Sequence, residues 1–139
     1  MKQMLLTFLI VIGFAVGAGA EQNGKDGVAP QIEAVIDQQM RAFQSDDYVA
    51  AFGYAADNIR RMFGTAENFG EMVKRGYPMV HRPAEVRFGA MRQDGGAVWQ
   101  RVLVRDGAGA FFALDYLMVP TEAGWRIAAV TLVGAPESA

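Results

Sequence analysis

Between Pro30 and Gln44 the apolar side chains Ile32, Val35, Ile36, Met40 and Phe43 recur three and four residues apart, the spacing of one helical face. Pro30 suits the first turn of such a helix. Ser45-Asp46-Asp47 interrupts the pattern with short polar side chains that cap a following helix, in which Val49, Phe52 and Ala56 continue the apolar spacing. Ile59 to Phe63 is too short for its period to decide between a helical turn and a strand, and Gly64-Thr65 ends it. A third helix is predicted from Ala66 to Gly76, with Phe69, Met72 and Val73 on its inner side, stopped before Tyr77-Pro78.

Beyond Pro83 the period changes. Glu85 to Arg92, Ala97 to Arg105, Ala110 to Val119 and Trp125 to Val133 are rich in aromatic and branched residues and read as strands. The short Gly- and Asp-bearing linkers between them force neighbouring antiparallel pairing, hence a four-stranded meander. Three helices before a meander must bury their apolar stripes on one sheet face, an α+β arrangement. Along Phe111 to Val119 both strand faces are apolar apart from Asp115, so a second copy of the chain is expected to cover the outer face.

The first twenty residues follow a different logic. Lys2 precedes an apolar run from Met4 to Val16, and Gly17-Ala18-Gly19-Ala20 offers the small side chains a signal peptidase requires. The run of thirteen residues is short of the roughly 20 needed to span a bilayer. The expectation is a signal peptide over residues 1–20, a flexible polar leader over 21–29 and one domain over 30–135, periplasmic or secreted, with no stable membrane anchor after cleavage.

Removing twenty of 139 residues leaves 119, enough for one core without staples. The chain has no cysteine, which excludes disulfides, thiolate zinc sites and a lipoprotein anchor. Fifteen acidic residues outweigh the Lys and Arg, which are scattered, so nucleic-acid binding is not expected. With a single histidine and no ligand-spaced carboxylate pair, no metal is expected either. Asp106-Gly107-Ala108-Gly109 lies between strands, where turn glycines belong and phosphate cradles do not. No cofactor is expected.

The segments Ile36-Asp37-Gln38-Gln39-Met40-Arg41-Ala42-Phe43, Ala50-Ala51-Phe52, Ile59-Arg60-Arg61-Met62-Phe63-Gly64 and Gly124-Trp125-Arg126-Ile127 resemble the DUF4864 proteins. More broadly, the order of elements resembles the cone-shaped fold of the nuclear transport factor 2 superfamily, which includes ketosteroid isomerase and polyketide-cyclase-like proteins. The resemblance runs from Ile32 to Leu132. It implies a curved four-stranded sheet with about three helices on one face and a pocket at the wide end between them.

Chemistry is sparse. His81 lies between the third helix and the first strand and fits either a general base near neutrality or an ordinary loop residue; no partner can be read from spacing. Asp115 sits in an apolar strand, and fits either a pocket acid, as the resemblance to the isomerases implies, or an ion pair with Arg101 or Arg126. Tyr54, Tyr77 and Tyr116 are equal candidates for a donor to an oxyanion, and Tyr116 adjoins Asp115. Asp46, Asp47, Asp57, Glu67 and Glu71 are explained by capping and solvation. Met62, Phe63, Met72, Tyr77, Met79, Phe88 and Trp99 are candidates for a wall shared between core and pocket. The functional expectation is a non-catalytic exported domain that binds a small apolar or amphipathic ligand or a protein partner. The alternatives are a small isomerase, dehydratase or cyclase using Asp115 or His81, and a structural dimerisation domain without ligand.

Overall fold

A computed structural model describes residues 12–134, with side chains from residue 27 onward. Residues 1–11, where most of the expected signal segment falls, lie outside the described part. The chain divides after Gln31 into two compact units, and the second carries the core and the site.

Helix α1 spans Ile12–Gln44. It therefore runs through residues 21–29, expected as a flexible leader, and Pro30 lies inside it. At its C-terminal end Ile32, Ile36, Met40 and Phe43 form a fully buried stripe, and Gln39, buried beside them, donates its side-chain amide to Ala51 O at 3.1 Å.

Helix α2, Tyr48–Gly53, is capped by Asp47, whose carboxylate accepts from Ala50 N. The ambiguous segment is a helix, α3, Asp57–Phe63, ended by Gly64 at φ 79°. Thr65 caps α4, Ala66–Gly76. One turn was not foreseen: α5, Pro78–His81, starts on a proline, whose fixed φ and missing N–H suit a first helical position.

The strands β1 (Pro83–Asp94), β2 (Ala97–Asp106), β3 (Phe111–Thr121) and β4 (Gly124–Leu132) form one antiparallel sheet in sequence order, so the chain is α+β with helices followed by a meander, as the pattern predicts. Val98, Val102 and Val104 of β2, Leu114, Tyr116 and Met118 of β3, and Ile127 of β4 are buried on the inner face.

Irregularities in the register, one of them at the start of β1 between Pro83 and Glu85, change which side chains face inward. The register slips between Leu117 and Met118, so Met118 pairs with Ile127 while Tyr116 pairs with Val130. Simple alternation along β4 puts Ile127 and Val130 on opposite faces; the bulge, with its extra residue, returns them to the same one. Another slip lies between Phe88 and Met91, and the side chain of Gln100 holds it by donating to Gly89 O at 2.9 Å. The outer edge of β4 is closed by Tyr54–Ala56: Ile127 N donates to Tyr54 O and Ala56 N to Ile127 O.

Candidate functional site

Three apolar walls meet over the inner sheet face. Helix α3 contributes Ile59, Met62 and Phe63, helix α4 contributes Phe69, Met72 and Val73, and the sheet contributes Tyr116, Ile127 and Val130. They enclose a cavity of about 240 Å³, completed by Gln39, Phe43, Ala55, Tyr77 and Val80. None of these side chains is charged. Met62, 69% exposed, marks the solvent end, and Tyr116, fully buried, belongs to the wall contributed by the sheet.

The polar groups here are nearly all spent. Tyr77 Oη donates to Val130 O at 3.2 Å, and Gln39 is committed to Ala51. Tyr116 Oη is buried with no hydrogen-bond partner among the described residues. Burial, reinforced by the neighbouring Tyr77 phenol, pushes the Tyr116 hydroxyl well above its usual range, so it stays protonated and can only donate or accept a hydrogen bond, not act as a base.

Of the residues expected in the pocket, Met62, Phe63, Met72 and Tyr77 line it, and so does Tyr116. Met79, Phe88 and Trp99 do not. Met79 is buried in α5 without reaching the cavity, Phe88 is half-buried on β1 at the irregular register, and Trp99 is on the outer face, its indole donating to Asp94 and Arg92 lying 5.6 Å over its ring. Gln39, Phe43, Ile59 and Val130 were not singled out, because each reads as ordinary helix or strand core.

Asp115 belongs to the outer face, opposite Tyr116 by strand alternation, and is not a pocket acid. It pairs across β2 and β3 with Arg101, whose Nε donates to Oδ1 at 2.5 Å and Nη2 to Oδ2 at 3.3 Å. Gly89 makes room for the arginine stem: a Cβ there would lie 3.1 Å from Arg101 Cγ. The carboxylate is 15% exposed and the guanidinium 37%, between the surface and buried limits. Asp115→Asn should therefore lower stability by roughly 1 to 2 kcal/mol in a denaturant titration, and an unchanged midpoint would show the pair to be neutral.

His81 does have a carboxylate partner, and it is one the sequence assigns to capping. Asp46 adopts φ 58°, the left-handed region, and gathers His81 Nε2 at 2.9 Å, Tyr48 Oη at 3.1 Å and both Nη2 contacts of Arg82 at 3.1 and 3.2 Å. Arg82 Nη1 donates to Phe43 O and His81 O and also lies 3.0 Å from His81 Nε2. The cluster clasps the turn between α1 and α2 to the start of β1, and none of its four side chains lines the cavity.

Hydrogen bonds from His81 first, then Arg82 and Tyr48, hold the Asp46 carboxyl at about 2, below its ordinary 3.8. A carboxyl lowered in the folded state contributes stability that is complete above its unfolded pKa and is lost as pH falls through the folded one. The thermal midpoint of the wild-type domain should therefore drop between about pH 4 and pH 2, and part of that drop should vanish in Asp46→Asn. Parallel curves for the two proteins would refute the clasp's electrostatic role.

The family model described as a domain of unknown function, DUF4864, matches residues 25–139. The chain belongs to the DUF4864 family. No curated protein and no solved structure matches it. In this DUF4864 domain the segments that carry the family resemblance also build the cavity: Gln39 and Phe43 come from the first, Ile59, Met62 and Phe63 from the third, and Ile127 from the last. Among the described residues no group of three or more metal-ligating side chains converges, and no helix is long and apolar enough to cross a membrane.

Proposed function

We propose that this DUF4864 chain is an exported, non-catalytic binding domain of the nuclear transport factor 2-like class, and that it holds a small, largely apolar molecule in the cavity between α3, α4 and the inner sheet face. The observation that carries the reading is the cavity itself: about 240 Å³, walled by apolar side chains, with no charged residue in its lining. That is below the roughly 300 to 1,000 Å³ of sites for drug-sized ligands, so the occupant is small. Catalysis by an acid or base has no support in the geometry. Asp115 is tied to Arg101 outside the cavity and His81 to Asp46 in the clasp.

Native mass spectrometry of the protein isolated from the periplasm tests binding and export together. The expected species begins at Glu21, following the Ala18 and Ala20 signal, and carries one small molecule per chain that is absent from Met72→Trp. An unliganded mass alone, or an uncleaved chain recovered from the membrane, would count against the corresponding half of the proposal. The outer sheet face, where Leu103 is 41% and Phe111 50% exposed, supports a second copy as the partner covering it. Light scattering showing a monomer at all micromolar concentrations would remove that reading.

A further inference from the structure

The chemistry of the occupant is written in the buried polar group of the wall that has no hydrogen-bond partner among the described residues. Tyr116 Oη is buried and unpartnered among the described residues; of the other polar side chains in the lining, Tyr77 donates to Val130 O and Gln39 to Ala51 O, and neither bonds to it. A buried hydroxyl without a partner is costly, and native interiors seldom keep one. Gln100, directly across from Tyr116 in the register, also keeps an unpartnered Oε1, but its amide nitrogen is occupied on Gly89 O and Arg101 O, which explains that side chain as the holder of the bulge. Tyr116 has no such structural duty.

Resting on the cavity reading above, we propose that the ligand is a small uncharged molecule with an apolar body and one oxygen acceptor of the carbonyl or ether kind, and that Tyr116 Oη donates to that oxygen. The absence of any charged residue from the lining excludes carboxylates and ammonium groups, whose desolvation would go uncompensated. The raised ionisation of the phenol keeps its proton in place for donation.

The test uses the mature chain with methyl-labelled methionine, observing Met72 in the wall, with cyclohexanone and methylenecyclohexane as probes. The two share a ring and an exocyclic double bond, and only the ketone has an acceptor. Tyr116→Phe should weaken cyclohexanone about tenfold, the worth of one such hydrogen bond, and change methylenecyclohexane by less than twofold. Because the variant removes only an unpartnered group, its thermal midpoint should be no lower than that of the wild type. Cyclohexanecarboxylate should leave Met72 unmoved. Equal effects on both neutral probes, or binding of the carboxylate, would overturn the assignment to Tyr116 while the cavity stands; no shift at Met72 with any probe would overturn the cavity reading itself.

Discussion

Replacing Gly70 by alanine should destabilise the domain by about 2 kcal/mol, even though alanine is favoured over glycine inside a helix by ~1 kcal/mol. Gly70 is buried in the middle of α4, and a Cβ there would lie 2.6 Å from both Cγ and Cδ1 of Tyr48, far inside contact distance. The ring has little freedom to retreat. Its hydroxyl donates to Asp46, and its face stacks against His81 at 6.2 Å. Overpacking of this kind typically costs about 1 to 3 kcal/mol, and here it would also strain the clasp, so the clash outweighs the helical gain. Gly76, at the other end of the same helix, has nothing within 4 Å of the corresponding position. Gly76→Ala should be neutral or mildly stabilising, and denaturant titrations of the two variants should move the midpoint in different directions, or one of them not at all. Equal effects would mean that α2 and α4 do not approach as closely as described.

Phe43→Ala should be costlier, about 3 to 5 kcal/mol, the range for truncating a buried aromatic. Phe43 is 1% exposed. Its ring lies 5.8 Å from that of Phe69 and 6.4 Å from those of Tyr48 and His81, and its carbonyl accepts from Arg82. It joins the helical stripe, the clasp and the cavity wall at one point. Since it borders open space already, truncation enlarges the cavity and leaves its neighbours little to collapse onto, which favours the upper half of that range. Phe43→Leu keeps most of the volume and should cost less than half as much. A loss below about 2 kcal/mol for alanine would show that the aromatic group is not the centre of the core.

The strands and the longer helices were legible because period and punctuation agree there. Gly64 stops α3, Thr65 caps α4, and the loop glycines Gly95, Gly109 and Gly124 take positive φ between strands. What could not be read lies where local pattern is silent or misleading. Residues 21–29 are polar enough to suggest a loose leader, yet they lie within the bounds of α1. The bulge at Leu117 and Met118 leaves no mark in the alternation of β3 but reverses the facing of half of β4, and it decides that Val130 joins the cavity.

The site was legible in part for the same reason. Met72 declares itself by position on the inward face of its predicted helix, whereas Met62 and Phe63, in a segment whose period decides nothing, stand out only as large apolar side chains. Trp99 is a large aromatic in a buried-looking strand, but its neighbour Gln100 is the inward residue, a polar side chain that satisfies the bulge. Asp46 could be found only by long-range contact: it sits 35 residues before His81, between two residues of capping type, and its left-handed backbone has no signature in the sequence beyond the tolerance of aspartate for that region. Asp115 stood out correctly as the break in its strand, and Arg101, one of the two arginines considered, is its partner.

Whether the space over the inner sheet face is a binding cavity or closed core is decided most directly by xenon, which enters apolar voids without needing any hydrogen bond. With methyl-labelled methionine and rising xenon pressure, Met72 and Met62 should shift and saturate together. Met91, outside the lining, should stay in place, and the shift at Met62 should disappear in Met72→Trp. Absence of any shift at Met72, or movement of Met91 as large as that of Met72, would contradict the account.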